Sequence, residues 1–204
     1  SQTGHRCYTT CHGDGAVDGI QRMCGTEIGM PAELFAGSKF LSAAIYQRLL
    51  PRLCAHCRIP ATDPKVGLSA AHQRLLREKF RLDPGTMYVA NETGCPHCMP
   101  NIPGLAANGT KGVIVAPEVL VPTADMREQA GRRDWAGLMK AWRTTRRTGF
   151  GDGDMTGKTA FECALYLAAQ GKVSIRDIET EFEPLDSYEI FPTADDVQLR
   201  GASV

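Results

Sequence analysis

Neither sign of charge is in excess in this chain: 23 Lys and Arg stand against 23 Asp and Glu over 204 residues. No global field therefore draws it to nucleic acid or to anionic lipid. No stretch approaches the roughly 18 uninterrupted apolar residues that a membrane span needs. No charged-then-apolar leader precedes the first patterned segment, and there is no low-complexity tract. The chain therefore reads as soluble and cytosolic. With 43% apolar residues it has enough to build one sizeable domain or two small ones.

What is present is more specific. Cys54-Ala-His-Cys57 and Cys95-Pro-His-Cys98 repeat one pattern, a thiol pair on a tight turn with His at the third position. Together they supply the four soft ligands of a closed tetrahedral zinc site. Two disulfides or free thiols are the competing reading, and they would need an oxidising compartment that nothing else suggests. The 37 residues between Cys57 and Cys95 exceed the spacing of about 15–20 in a compact zinc ribbon. A helix must therefore sit inside the loop that the metal closes, which gives the metal a structural role. Four cysteines leave no open position for catalysis; His56 and His97 are read in a supporting or solvent-facing place, the alternative being that one of them replaces a cysteine as ligand. Of the other four cysteines, Cys7, Cys11, Cys24 and Cys163, Cys11 and Cys24 lie in ordinary strand-end and helix patterns.

Along the chain, residues 5–10 read as a β-branched and aromatic strand. A strand so close to Ser1 suggests a domain whose first part is missing, the alternative being a natural start with Met removed. Residues 14–24 read as a helix with Ala16, Ile20 and Cys24 on one face, and residues 31–50 as a longer helix lined by Leu34, Leu41, Ile45 and Leu49. Residues 68–80 read as a helix, 87–90 as a strand, and 112–121 as a strand that Pro117 confines to an edge or a bulge. Trp135, Leu138, Met139 and Trp142 fall at helical spacing as a packing face. A further helix spans 156–170 and stops at Gly171, and Ser174 reads as the N-cap of the next, with Val173 and Ile178 as its hydrophobic staple. The tail after Pro184 has little periodicity and is expected to fray.

Two other features invite functional readings. Gly151-Asp-Gly-Asp-Met-Thr-Gly-Lys158-Thr159 looks like a phosphate loop, but the required first glycine is Asp152 and no buried strand precedes it. A helix start with acidic neighbours is the better account. Seven basic residues between Arg127 and Arg147 read as a solvated helix face or a protein-docking surface rather than a nucleic-acid patch. His5 and His12 flank the first strand, and a polar His at a strand's C-terminal tip is where α/β sheets present groups to ligands.

In order, these pieces resemble the C-terminal portion of the secretion ATPases that assemble type IV pili and type II secretion pseudopili. Thr3-Gly4-His5 and Thr10-Cys11-His12 match the family's histidine box. Gln47-Arg48-Leu49 leads through Pro51-Arg52-Leu53 into the first cysteine pair, and Lys111-Gly112 through Glu118-Val119-Leu120 matches the strand after the second. The likeness covers residues 1–183. Val113 replaces the family's usual Arg and Pro117 is unusual, which leaves the branch open, with the thin-pilus and conjugative branches among the candidates.

The resemblance implies an α/β fold: a partial RecA-like domain over residues 1–50, a zinc-binding tetracysteine insert over 51–122, a mostly helical C-terminal region over 123–183, and a tail over 184–204. It implies His12 near the γ-phosphate of bound ATP, with His5 supporting that site. In the complete protein it implies a homo-hexameric motor, peripheral to the cytoplasmic side of the inner membrane and working on an inner-membrane platform protein. The Walker motifs that bind ATP and Mg²⁺ would lie upstream, so this chain alone should not hydrolyse ATP. Zn²⁺ would be structural. A zinc-ribbon module that binds nucleic acid or a protein partner is the alternative.

Overall fold

The computed structural model describes residues 7–100 and 105–192. Within them the chain is mixed α/β: helices α1 (Ala16–Met23) and α2 (Glu33–Ala36), strands β1 (Ala44–Leu53) and β2 (Ile59–Pro60), helix α3 (Ala70–Glu78), strands β3 (Tyr88–Val89) and β4 (Thr110–Leu120), then helices α4 (Ala124–Gly131), α5 (Trp135–Arg143), α6 (Ala160–Ala169) and α7 (Ile175–Glu181). β1 and β4 pair antiparallel from Ala44 opposite Leu120 to Pro51 opposite Val113, with a bulge before Leu53 meets Thr110. β2 and β3 form a second small antiparallel pair.

The ribbon corrects the long helix expected over residues 31–50. Only α2 is helical there, ended by Gly37; turns and irregular chain over residues 37–43 lead into β1. Leu41, Ile45 and Leu49 do recur every four residues, but the ladder to β4 comes from far along the chain and outweighs that local periodicity. In the ribbon the alternation is two-fold. Leu50, Ala116, Glu118 and Leu120 point into the core. Ile45, Leu49 and Val113 lie on the outer face, 67%, 52% and 62% exposed. Pro117 sits opposite Gln47 in a strand whose other side is unpaired among the described residues, as its missing N–H requires.

At the N-terminus, Cys7–Thr10 is exposed and makes no strand pairing, so the expected first strand is not formed over its described residues. His5 lies outside the described residues. The C-terminal tail is the second correction. Leu185 and Tyr188 are buried, Tyr188 stacks on Phe161 with ring centroids 4.1 Å apart, and Lys79 donates to the carbonyls of Leu185 and Asp186. Aromatic packing and main-chain contacts hold residues 185–191 without any helical or strand period.

Two apolar clusters meet on the ribbon. The larger joins Leu50, Leu76, Phe80, Val89 and Ala116 to the inner face of α6 and α7, and the smaller joins α1, Phe35 and Leu120 to Met126, Leu138 and Trp142. The Trp135–Trp142 stripe is therefore a packing face, as its spacing predicts. Thr159 caps α6 in a reciprocal box with Glu162, and Ser174 caps α7.

A charged layer lies where the clusters meet. Arg143 grips Glu162 with both guanidinium ends, at 2.7 and 2.5 Å, and both groups are buried. Tyr188 donates its hydroxyl to the same carboxylate, and Glu162 also accepts the Thr159 N–H. Burial works against the Arg143 charge, but Glu162 more than restores it and raises its pKa; burial and the Glu162 charge push the Tyr188 hydroxyl above its ordinary range. A buried pair that loses one partner strands the other charge. Arg143→Met is expected to lower unfolding stability in urea by about 3–5 kcal/mol, and Arg143→Met with Glu162→Leu by distinctly less.

Candidate metal centre

β1 delivers Cys54 directly, and its N–H donates to the carbonyl of Gly109, one residue before β4. The ribbon's end thus fixes where the first cysteine pair stands. A one-turn knuckle follows: the N–H groups of Cys57 and Arg58 both return to the Cys54 carbonyl, at 3.3 and 3.0 Å. The second pair makes the same turn, with the Cys98 N–H bonded to the Cys95 carbonyl at 3.0 Å and the Cys95 N–H donating to the Cys98 Sγ at 3.2 Å.

Two glycines let these turns close. Gly94 and Gly109 have φ of +63° and +77°, and a Cβ on either would collide, with Ala107 at the first and with the Asn91 main chain at the second.

The four thiols converge. All four sulfurs lie within 4.8 Å of one another. Cys54 to Cys95, Cys57 to Cys98 and Cys95 to Cys98 are each separated by 3.8 Å between sulfurs. Metal–sulfur bonds of about 2.3 Å in a tetrahedron give edges of about 3.8 Å. A disulfide needs about 2.05 Å. The spacing fits four thiolates around one metal ion, and the cysteines are all free. Cys54 and Cys98 are buried while Cys57 and Cys95 are partly so, with Ala107 packed against them.

Desolvation opposes ionisation at Cys98, yet the Cys95 N–H and the neighbouring thiols of Cys57 and Cys95 outweigh it and lower its pKa to about 7. Burial and the surrounding thiols push Cys57 up to about 12. A thiol set so unlike in ease of ionisation becomes uniformly thiolate when a dication sits among it, with release of protons.

His56 and His97, one from each knuckle, are exposed and stack with ring centroids 3.8 Å apart and planes 15° from parallel. They press the two turns together from outside the sulfur cluster. The loop between the pairs carries α3 and the β2–β3 pair, so the closed loop does contain a helix. It is also tied to the C-terminal helices. The Leu53 N–H donates to the Lys172 carbonyl, and Arg58 lies over the Tyr88 ring and donates to the Gly171 carbonyl.

The other candidates fall elsewhere. His12 is exposed on the segment ahead of α1, its carbonyl accepting from Arg22 at 3.1 Å. Lys158, the lysine of the phosphate-loop lookalike, is buried and donates to the carbonyls of Gly149 and Asp152, both at 2.7 Å. Its loop folds around its own ammonium group instead of cradling a phosphate. Of the seven basic residues, Arg143 and Arg146 are buried, which corrects the solvated-face reading for those two, while Arg132, Arg133, Lys140 and Arg147 stay exposed. Sequence reasoning missed the buried Glu118, Arg143 and Glu162. For Glu162 a signal existed, since Thr159-Ala-Phe-Glu162 has the spacing of a capping box.

Comparison with known proteins adds a family. Residues 1–165 match the family model described as type II/IV secretion system protein. The chain is 32% identical over 124 residues to the type IV pilus assembly ATPase PilB of Pseudomonas aeruginosa, a match covering 60% of this chain and 19% of that protein. It is 29% identical over 181 residues to PilB of Thermus thermophilus, covering 86% and 17%. With the type II secretion system ATPase E of Vibrio cholerae it shares 34% over 98 residues, covering 48% and 17%. The chain spans about a fifth of the length of the curated relatives it matches.

The centre should bind close to one metal ion per chain, read by elemental analysis. Gly94→Ala is expected to destabilise the metal-loaded chain by more than about 1 kcal/mol in thermal or denaturant unfolding, because alanine resists the left-handed backbone and meets Ala107.

Proposed function

The chain belongs to the type II/IV secretion system protein family, and from that premise we propose that it is the C-terminal part of an ATPase motor for type IV pilus or type II secretion pseudopilus assembly. The family match carries this reading, because it runs through residues 1–165 and so takes in His12 and both halves of the metal centre. In the complete protein the motor would be a homo-hexamer that binds ATP and Mg²⁺ through sequence outside this chain. It would stand at the cytoplasmic face of the inner membrane and push on a platform protein there. Among the described residues no helix is long and apolar enough to cross a membrane.

The fold proposal is a partial RecA-like domain followed by a zinc-bearing insert and a helical C-terminal region. The outer face of the β1–β4 ribbon supports it. An antiparallel ribbon with one solvated face ordinarily carries polar residues there, whereas here Ile45, Leu49, Val113 and Val115 stand exposed on the outer face. Such a face suits a ribbon on which a further layer packs in the complete protein.

In this reading the four cysteines hold Zn²⁺, which when bound supplies a second closure of the loop between β1 and β4 and no chemistry. The residues of this chain do the rest: the Cys95 N–H supports the Cys98 thiolate and the two glycines let the turns close. His12 would face the γ-phosphate, positioned to stabilise transferred charge, with His5 supporting it. A nucleic-acid-binding zinc ribbon is the weaker reading, since Arg143 and Arg146 turn inward and the net charge is zero.

Two measurements test the proposal. The complete protein should hydrolyse ATP only with Mg²⁺, and His12→Ala should lower kcat by about a hundred- to a thousandfold; unchanged turnover would remove His12 from the site. The isolated chain should contain zinc as its metal, and Cys54→Ser should lower both metal content and melting temperature.

A further inference from the structure

Glu118 is buried on β4 between Ala116, which belongs to the larger apolar cluster, and Leu120, which belongs to the smaller. A carboxylate in such a place must be satisfied from every side. Its Oε1 accepts the N–H of Ala16, the first residue of α1, at 2.7 Å. Its Oε2 accepts the N–H of Ala160, the first residue of α6, at 3.2 Å. One side chain therefore caps two helices that are far apart in sequence, and its charge sits at the positive end of both.

The α1 end has no substitute for it. Gly15 is the N-cap and has no side chain to offer. A Cβ at Gly15 would stand 3.2 Å from Glu118 Oε1, closer than the carboxylate tolerates without shifting. The residue that cannot cap is the one that lets the distant cap approach.

From α1 the linkage runs on to the histidine. Arg22, in the last turn of α1, donates to the carbonyl of His12, and the thiol of Cys11 points to the carbonyl of Gly19 at 3.7 Å. Residues 7–12 are exposed and pair with no strand, so α1 is what holds the His12 segment in place. At the other end, α6 is fixed by the buried Arg143–Glu162 pair and by Tyr188.

We propose that Glu118 is a positioning residue for His12: it locks α1, and with it the His12 segment, to the C-terminal helical layer through α6. The proposal rests on the reading of His12 as a nucleotide-facing group, and it adds that the helical layer sets where that group stands.

The test compares Glu118→Gln with Ser174→Ala, which removes a cap of α7 and leaves α1 alone. In this chain, hydrogen exchange read by mass spectrometry should show Glu118→Gln lowering protection of residues 16–23 by about ten- to a hundredfold, the value of a hydrogen bond to a charged group. Protection of residues 44–60 and the metal content should stay as they are. In the complete ATPase, Glu118→Gln should lower kcat by about ten- to a hundredfold with KM for ATP unchanged, while Ser174→Ala keeps kcat.

Unchanged protection in α1, or an equal loss across the whole chain, would overturn the proposal. So would a Ser174→Ala enzyme that loses as much kcat as Glu118→Gln, because the effect would then follow stability alone. His12→Ala measured alongside separates the two claims. Normal turnover there removes the functional reading, whereas impaired turnover with a fully active Glu118→Gln removes only the lock.

Discussion

The antiparallel ladder between β1 and β4 is the constraint on which everything else in this chain depends. It brings residues 44–53 against 110–120 and so turns residues 54–109 into one closed loop. Closing a loop of that length costs entropy before any local contact repays it. The four cysteines stand at its base, where the Cys54 N–H already meets the Gly109 carbonyl. A metal there closes the same loop a second time, at the point where the ladder ends in a bulge. Ladder and metal are two fastenings of one seam.

The inner face of the same ribbon organises the rest of the packing. Its apolar residues divide between two clusters, and the boundary is filled by Glu118, Arg143, Glu162 and Tyr188. Arg143 and Tyr188 satisfy Glu162, and the first N–H groups of α1 and α6 satisfy Glu118, so the layer joins the clusters with both carboxylates hydrogen-bonded. The outer face has no such partner among the described residues. Its exposed valines, isoleucine and leucine make it an apolar surface on the ribbon.

The legible part of the sequence was the part whose signal is local. The cysteine pairs announced their centre because four soft ligands on two tight turns have few other uses, and their wide spacing announced the helix inside the loop. Ser174, Gly171 and the Trp135–Trp142 stripe were readable because caps and helical spacing act within a few residues. β1 was misread because Leu41, Ile45 and Leu49 recur every four residues, while the partner that makes them a strand lies more than sixty positions away. Tyr188 was lost in an aperiodic tail since its partners, Phe161 and Glu162, are tertiary. Glu118 stands out in the sequence only as part of the strand after the second cysteine pair, and only the fold brings Ala16 and Ala160 to it.

The account stands most directly on the claim that four thiolates surround a single zinc ion as a closed structural centre. X-ray absorption at the zinc edge of the purified chain reads that first shell. The account predicts four sulfur neighbours at about 2.3 Å and no nitrogen or oxygen. A shell containing imidazole nitrogen from His56 or His97, or an open position filled by water, would contradict it.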